Sequence, residues 1–266
     1  MSMAETLKIS SQGCGLPLVF IHGWGLNSGV WQPSVEVLKE HFEVITVDLP
    51  GFGANLEHSI SPYTLAEVAS LIAQSVAKPA VYIGWSLGGL IASEIALNFP
   101  KQVKALITVA SSPCFVEQEN WFGIKPDVLA IFHRQLAEDT AKTINNFLKV
   151  QAMGSPHLRH DIKLLRELVM QFPMPTKSTL DESLQLLTTV DQRESLAQIS
   201  IPYLRLYGKL DGLVPRKAIT AITALSPNSD VVIFEQASHA PFISHPEAFI
   251  ETLTTWLAPL VEGTYR

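Results

Sequence analysis

The sequence predicts an α/β protein with a mostly parallel central sheet, helices on both faces and an inserted helical cap. Three observations support this prediction. Over the first 112 residues, short apolar runs alternate with helical patterns, as in successive βαβ units. From about residue 115 to residue 189 helical patterns dominate, and afterwards the alternation resumes. We therefore expect a first core segment at 1–114, a cap at 115–189 and a second core segment at 190–266.

Four apolar runs predict the strands of the first core segment. They occupy residues 17–21, residues 42–48, the run that begins at residue 80, and residues 105–110. Because these runs are mostly continuous rather than alternating, we expect strands that are buried on both faces. Helical patterns at about 30–39 and 64–76, and after residue 86, connect them.

Helix-breaking residues divide the predicted cap. Its helical patterns are interrupted by Gly-Ser-Pro at 154–156 and by Phe-Pro-Met-Pro at 172–175. In the second core segment, strands are expected at 203–208 and 231–234. Helices are expected at about 216–225 and 246–260.

Composition excludes several classes of function. The 266 residues are 47% hydrophobic and 17% charged, which is enough for a sizeable core. The net charge of −6 gives no overall attraction to nucleic acid or anionic membranes. The two cysteines, Cys14 and Cys114, lack metal-ligand spacing and fit a reducing compartment. We find no run of membrane-spanning length and no signal-like start, so we expect a cytoplasmic protein.

The segment Gly84-Trp85-Ser86-Leu87-Gly88 has the pattern G-x-S-x-G. It follows a β-forming run and precedes a helical pattern, which is the context of a nucleophile on a sharp strand-to-helix turn. The flanking glycines leave room for the strained serine backbone. A chance match in a glycine-rich turn is the alternative, but the strand and the helix favour Ser86 as a nucleophile.

A serine nucleophile needs a general base and a group that orients the base. His239 follows the last predicted strand, on the same side of a parallel sheet as the serine turn, and is the best base. Asp211 follows the strand before it and gives the order Ser86, Asp211, His239. Asp48 also ends a strand and remains a rival acid, whereas Asp230 begins one.

The oxyanion of an acyl-transfer reaction needs preorganised donors. We expect the backbone N–H of Leu87, which follows the nucleophile, and that of Trp24, in the loop His22-Gly23-Trp24-Gly25 after the first apolar strand. The Trp24 indole either forms a wall of the acyl pocket or packs in the core. His22 is expected to stabilise the loop. This chemistry requires no metal and no organic cofactor.

Several motifs resemble those of the α/β-hydrolase superfamily. They are H-G-W-G at 22–25, D-L-P-G-F-G at 48–53, G-W-S-L-G-G at 84–89 and S-H-A-P-F-I-S-H-P at 238–246. The segments S-S-P-C-F at 111–115, G-I-K-P-D-V-L at 123–129, L-R-L-Y-G at 204–208 and D-G-L-V-P-R-K at 211–217 further resemble the biotin-pathway pimeloyl-[acyl-carrier-protein] methyl ester esterases. This resemblance implies an α/β-hydrolase fold. It also implies hydrolysis of the methyl ester of a pimeloyl chain on acyl carrier protein.

The same resemblance implies roles for individual residues. Ser86, Asp211 and His239 would be the catalytic triad, with Trp24 and Leu87 as oxyanion donors. Phe147 and Gln151 match a cap segment that lines the substrate channel in this family. The basic residues Lys142, Arg159 and Lys163 match cap positions that face the carrier protein in this family. Asn146 departs from the family, in which a basic residue is expected there.

The local charge of the cap is consistent with a carrier-binding role. Between residues 142 and 166 the sequence has five basic residues and one acidic residue, a local charge of +4. Arg159, Lys163 and Arg166 share one helix face, and a separate apolar face is expected to contain Leu158, Ile162, Leu165 and Val169. Such a charge stripe is either a solvated face or a docking patch for an acidic partner.

Other functions remain open at this point. A broad-specificity short-chain carboxylesterase would act on small esters with the same triad and no carrier partner. Carbon–carbon bond hydrolysis and cofactor-free peroxidation share much of this catalytic apparatus. A non-catalytic ligand receptor is disfavoured because nucleophile, base, acid and both oxyanion loops are all present. We expect a monomer that binds neither nucleic acid nor membranes.

Overall fold

A computed structural model describes residues 6–263 of the chain. Residues 1–5 and 264–266, the outer ends of the two predicted core segments, lie outside the described residues. In the described part, seven strands form one sheet in the order β1-β3-β2-β4-β5-β6-β7. The strands are β1 (Ile9–Gln12), β2 (Pro17–Ile21), β3 (Glu43–Val47), β4 (Ala80–Trp85), β5 (Val103–Val109), β6 (Tyr203–Gly208) and β7 (Asp230–Phe234). Neighbouring strands are parallel except for β1 and β3, which confirms the predicted mostly parallel sheet.

Helices connect the strands and cover both faces of the sheet. They are α1 (Gln32–Leu38), α2 (Leu65–Ser75), α3 (Leu87–Asn98), α4 (Pro126–Glu138), α5 (Thr140–Ala152), α6 (Leu158–Val169), α7 (Lys177–Thr189), α8 (Arg216–Leu225), α9 (Pro241–Ser244) and α10 (Pro246–Val261). Short 3₁₀ turns precede α1 and β5. The bounds of β6 and α8 agree with the sequence prediction, and β5 begins two residues earlier than expected.

The central strands are buried on both faces, as their continuous apolar runs predict. Successive residues of β2 point to opposite sides of the sheet. Val19 and Ile21 belong to the core layer formed with α2 and α3. Leu18 and Phe20 belong to the layer formed with α1 and α10. All four side chains are fully buried, so a strand without polar alternation is stable here.

The sequence analysis did not identify strand β1. Its sequence, Ile-Ser-Ser-Gln, is mostly polar, and its residues are largely exposed. It pairs antiparallel with β3 at the edge of the sheet, with Ile9 opposite Val47. Backbone pairing with the neighbouring strand therefore determines this element, and its short polar sequence has no apolar pattern to reveal it.

Helices α4 to α7 lie between β5 and β6 in the chain. Within residues 115–189 the structure has isolated bridges, such as Val116 with Ile124, but no strand. These helices contact the loops at the carboxyl ends of the strands. The Asn27 side chain donates to the carbonyl of Val169 at 2.8 Å, and the Ser238 hydroxyl donates to the carbonyl of Met153. The exact limits of the predicted cap, residues 115 and 189, stay a prediction.

Candidate active site

Ser86 lies on a sharp turn between β4 and α3. Its backbone has φ 54° and ψ −116°, a conformation that side-chain-bearing residues rarely adopt. The turn is so tight that a Cβ atom on Gly84 would lie 2.1 Å from the carbonyl oxygen of Gly88. A Cβ atom on Gly89 would lie 2.4 Å from the Cβ of Ser111. The two glycines are therefore required by close approach of the neighbouring chain.

Hydrogen bonds to strand β5 and the residues after it hold this turn in place. The backbone N–H of Ser86 donates to the carbonyl of Val109 at 2.9 Å. The hydroxyl of Ser111 donates to the carbonyl of Ser86 at 2.8 Å. Because both backbone groups of Ser86 are satisfied, the strained conformation is fixed from two sides.

His239 and Asp211 form a buried pair at the carboxyl ends of β7 and β6. His239 Nδ1 lies 2.8 Å from Asp211 Oδ2, and both side chains are fully buried. The other carboxylate oxygen, Oδ1, accepts the backbone N–H groups of Leu213 at 2.7 Å and Val214 at 3.1 Å. These two donors fix the carboxylate so that Oδ2 faces the imidazole. The ring then carries its proton on Nδ1, and the lone pair of Nε2 can accept a proton.

The remaining ring nitrogen of His239 is available for proton transfer. Nε2 is buried and has no hydrogen-bond partner among residues 6–263. Ser86 Oγ therefore makes no hydrogen bond to His239 Nε2 in this structure. Catalytic hydrogen bonds are often long in ligand-free sites and shorten when substrate binds. The structure thus brings the predicted acid and base together and places the predicted nucleophile on its turn, without the third contact.

The rival acid Asp48 and the carboxylate of Asp230, at the start of β7, have other partners. Asp48 Oδ2 accepts the backbone N–H of Ala54 at 2.8 Å, and its Oδ1 accepts that of Ser28. Asp230 begins β7 and accepts the indole N–H of Trp256 at 2.7 Å. Asp48 therefore stabilises two loops, and Asp230 lies at the opposite end of the sheet from His239.

His22 joins the loop after β2 to the loop after β3. Its Nδ1 donates to the carbonyl of Gly23 at 2.8 Å, and its Nε2 accepts the N–H of Leu49 at 3.0 Å. Complete burial lowers the pKa of His22, an effect that outweighs the opposing influence of Asp48. A neutral ring with one donor and one acceptor fits both contacts. This geometry agrees with a role in loop stability.

The two predicted oxyanion donors lie on either side of the serine turn. Leu87 is the first residue of α3, where a backbone N–H has no acceptor within the helix. The loop that contains Trp24 packs directly against the serine, because a Cβ atom on Gly23 would lie 3.3 Å from the Cβ of Ser86. Their role as oxyanion donors stays a prediction.

The Trp24 side chain forms a buried contact between the core and the cap helices. Its indole N–H donates to the carbonyl of Leu180 in α7 at 2.9 Å. Its ring meets that of Phe147 in α5 edge-on, with 4.8 Å between centroids. Phe147 in turn contacts Phe132 of α4, at 5.9 Å. These rings provide an apolar boundary beside the predicted oxyanion donor, which is the backbone N–H of Trp24 itself.

Gln151 is a buried amide without hydrogen bonds. It is fully buried in α5, and neither its side-chain oxygen nor its nitrogen has a partner among the described residues. It lines a small void with Ser238 and Ala240, the residues on either side of His239. Burying an amide without partners is unfavourable, so this side chain suits a polar contact that the free protein does not provide.

The three predicted carrier-binding residues are exposed. Lys142 lies in the first turn of α5, and Arg159 and Lys163 lie on the adjacent helix α6. Lys163 Nζ is 3.7 Å from Glu167 Oε1, one turn further along. The prediction that Leu158 belongs to a buried apolar face of α6 is wrong. This side chain is 39% exposed, because it is the first residue of the helix and lies beyond the buried face that contains Leu165.

An apolar groove lies between the cap helices α5 and α6 and the core loop that follows β2. It has a volume of about 150 Å³ and is lined by residues such as Gly25, Ile144, Leu148 and Met174. Gly25 directly follows Trp24, and the groove therefore begins beside the predicted oxyanion loop. The sequence analysis did not identify this groove, because its walls come from four separate stretches of chain.

Residues 6–263 contain neither a cluster of potential metal ligands nor a candidate membrane-spanning helix. No three His, Cys, Asp or Glu side chains in these residues are grouped closely enough to hold a metal ion. No helix in the same range has both the length and the apolar content needed to cross a bilayer.

Comparison with known proteins places the fold and gives a near-full-length relative. The sequence pattern of the α/β hydrolase fold family matches residues 17–246. The pimeloyl-[acyl-carrier protein] methyl ester esterase of Aliivibrio fischeri (strain MJ11) is 46% identical over 255 residues. The match covers 96% of this chain and 98% of that protein.

Solved structures resemble the whole chain at low sequence identity. An esterase from Exiguobacterium antarcticum has a TM-score of 0.83 at 23% identity, covering 95% of both chains. A bromoperoxidase from Bacillus anthracis has a TM-score of 0.81 at 21% identity, covering 94% of both chains. Because these two proteins differ in activity, their likeness establishes the fold alone.

Proposed function

This chain belongs to the α/β hydrolase fold family, and we propose that it hydrolyses the methyl ester of a pimeloyl chain on acyl carrier protein, in biotin synthesis. The observation that carries the proposal is the buried Asp211–His239 pair, in a chain that is 46% identical to an esterase of that name. The pair provides an oriented base on the same edge of the sheet as Ser86. The relative identifies the substrate class.

The reaction proceeds in two acyl-transfer steps. His239 Nε2 takes the proton of Ser86 Oγ as this oxygen attacks the ester carbonyl carbon. The tetrahedral oxyanion accepts hydrogen bonds from the N–H groups of Leu87 and Trp24. The carbon–oxygen bond to the methoxy group then breaks, and His239 gives its proton to the departing methanol. Asp211 keeps the imidazole in the required tautomer throughout.

Water completes the reaction at the acyl-enzyme. His239 Nε2 takes a proton from a water molecule, whose oxygen attacks the acyl carbon. The bond to Ser86 Oγ breaks, and the serine recovers its proton from the imidazole. The products are methanol and a free terminal carboxylate on the carrier-bound chain. We propose that the apolar rings of Trp24 and Phe147 line the acyl chain, with Gln151 providing a polar contact.

Surface charge supports a role for the cap in binding the carrier. Lys142, Arg159 and Lys163 are exposed, whereas Asp161, the one acidic residue between 142 and 166, is buried. Glu167 is the one exposed acidic residue on α5 and α6, so the outward charge of these helices is still positive in a chain of net charge −6. Acyl carrier proteins are acidic, so this surface would accelerate their encounter with the enzyme and weaken with salt.

Asn146 lies where the family is expected to have a basic residue. Its side-chain oxygen is 3.4 Å from Lys149 Nζ, so a cation one turn away is oriented toward this position. We propose that Lys149 supplies part of the charge that Asn146 lacks. We further propose that the enzyme is a monomer and acts in the cytoplasm.

The test is methyl ester cleavage on the carrier, followed by mass spectrometry of the intact acyl carrier protein. The wild-type enzyme should convert the carrier-bound ester to the acid and release methanol. Ser86→Ala should retain the fold and lose turnover, and a fluorophosphonate should label the wild type at Ser86 only. Rapid cleavage of small p-nitrophenyl esters without cleavage of the carrier-bound ester would instead indicate a short-chain carboxylesterase.

A further inference from the structure

Trp85, the residue before the nucleophile, contacts the catalytic base, and the mechanism above gives it no role. It is the last residue of β4 and is fully buried. Its indole N–H donates to the backbone carbonyl of His239 at 2.8 Å. Its ring also lies 5.8 Å from the imidazole ring, at an interplanar angle of 47°. The residue beside Ser86 therefore holds the backbone that carries His239.

The same indole contacts the predicted oxyanion loop. A Cβ atom on Gly23 would lie 3.3 Å from Trp85 Cε3 and 3.3 Å from the Cβ of Ser86. Trp85 thus contacts the loop that carries Trp24. It is also joined covalently to Ser86 and hydrogen-bonded to the backbone of His239. One rigid side chain connects three parts of the site that come from distant stretches of the chain.

Aromatic packing fixes the plane of this indole from behind. The Trp85 ring meets Phe242 at 4.9 Å and Trp31 at 6.3 Å, both edge-on. Phe242 is three residues after His239, so the same cluster also holds the chain that directly follows the base. Such a packed ring cannot rotate to follow a displaced carbonyl.

His239 needs this support because its own segment is irregular. It follows β7 in a loop without helix or strand, and α9 starts at Pro241. Asp211 holds the Nδ1 side of the ring, but nothing in that bond fixes the distance between Nε2 and Ser86. The hydrogen bond to the backbone of His239 supplies that second constraint. Displacing a catalytic base by about 1 Å lowers the reaction rate about 100-fold.

We propose that Trp85 is a positioning residue, which holds His239 at the correct distance from Ser86 through the bond between its indole N–H and the His239 carbonyl. Trp85 touches no reacting atom. Its loss should therefore lower kcat and leave KM unchanged. This inference rests on the proposed triad and extends it.

The chain offers a matched control. Trp31 belongs to the same aromatic cluster and is fully buried, but its indole nitrogen has no hydrogen-bond partner among residues 6–263. Trp85→Phe and Trp31→Phe each replace a buried indole by a phenyl ring. Both keep an aromatic ring in the cluster, and only the first removes the bond to His239. We expect kcat for a p-nitrophenyl ester to fall between about tenfold and about 100-fold in Trp85→Phe. In Trp31→Phe it should stay within about twofold, with KM unchanged in both variants.

A second replacement of the same residue separates positioning from packing. Trp85→3-benzothienylalanine keeps the bicyclic shape and replaces the N–H by sulfur, so it remains informative if Trp85→Phe does not fold. It should lose kcat as Trp85→Phe does, at an unfolding midpoint close to that of the wild type. Equal kcat losses in the Trp85 and Trp31 variants, or full kcat in the benzothienyl protein, would overturn the inference. Failure of the triad itself would appear separately, as turnover retained by Ser86→Ala.

Discussion

Replacing Asp211 by asparagine should inactivate the enzyme by reversing the tautomer of His239. In the structure Asp211 Oδ1 accepts the N–H groups of Leu213 and Val214, and Oδ2 accepts the proton of His239 Nδ1. An asparagine has only one side-chain acceptor, which the two backbone donors would take. Its NH₂ group would then face Nδ1 as a donor. His239 could accept this bond only with its own proton on Nε2, where it blocks removal of the Ser86 proton.

The size of the effect follows from the loss of the general base. A wrongly protonated triad histidine in a serine protease costs about 10⁴-fold in kcat, or about 5 kcal/mol in the activation barrier. Both side chains are fully buried here, so water cannot easily substitute for the lost contact. We therefore expect Asp211→Asn to reduce kcat by about 10⁴-fold for any ester, large or small, with little change in KM.

The assay is steady-state hydrolysis of a p-nitrophenyl ester, with urea unfolding to verify the fold. Asp48→Asn is the control, because Asp48 is the rival acid and is also buried. It should lose about 1–3 kcal/mol in the free energy of unfolding, since an amide cannot accept from both Ser28 and Ala54. Its kcat should change little. A folded Asp211→Asn enzyme within about tenfold of the wild-type kcat would refute the tautomer argument.

Three further predictions follow from the same geometry. Gly84→Ala should lower the urea midpoint or fail to fold, because its Cβ would lie 2.1 Å from a backbone oxygen. Gly212→Ala is the control, since its Cβ would have no heavy atom within 4 Å, and its urea midpoint should match that of the wild type. The free energy of unfolding should fall as the pH drops below about 6.5, because His22 gains a proton in the unfolded chain but not in the folded core. His22→Asn should flatten the dependence of this free energy on pH. The double change Arg159→Ala and Lys163→Ala should raise KM for the carrier-bound ester about tenfold and leave KM for small esters unchanged. Equal effects on KM for both substrates would exclude a docking role for these residues.

Most of the fold could be predicted because its strands are buried on both faces. A continuous run such as Pro17–Ile21 is stable only where helices cover the sheet on two sides, so local composition indicates tertiary position. Strand β1 has no such signal, because pairing with β3 alone determines it. The exposure of Leu158 likewise depends on where α6 begins relative to the core, which helical periodicity does not specify.

The site was predictable where chemistry restricts the choice of residue. A serine on a tight turn requires a base and an acid, and chain order alone favoured Asp211 over Asp48. The structure pairs Asp211 with His239 and gives Asp48 two loop N–H groups. The bond from Trp85 to His239 could not be predicted in this way. It joins residues 154 positions apart through a backbone carbonyl, which leaves no trace in the sequence pattern.

The most direct test of the proposed function compares two substrates at low and high salt. One is pimeloyl methyl ester on acyl carrier protein, and the other is a short p-nitrophenyl ester. We predict a much higher kcat/KM for the carrier-bound ester, which falls as salt screens the surface formed by Lys142, Arg159 and Lys163. Rapid cleavage of the small ester with negligible action on the carrier-bound ester would contradict the carrier role and leave a general esterase.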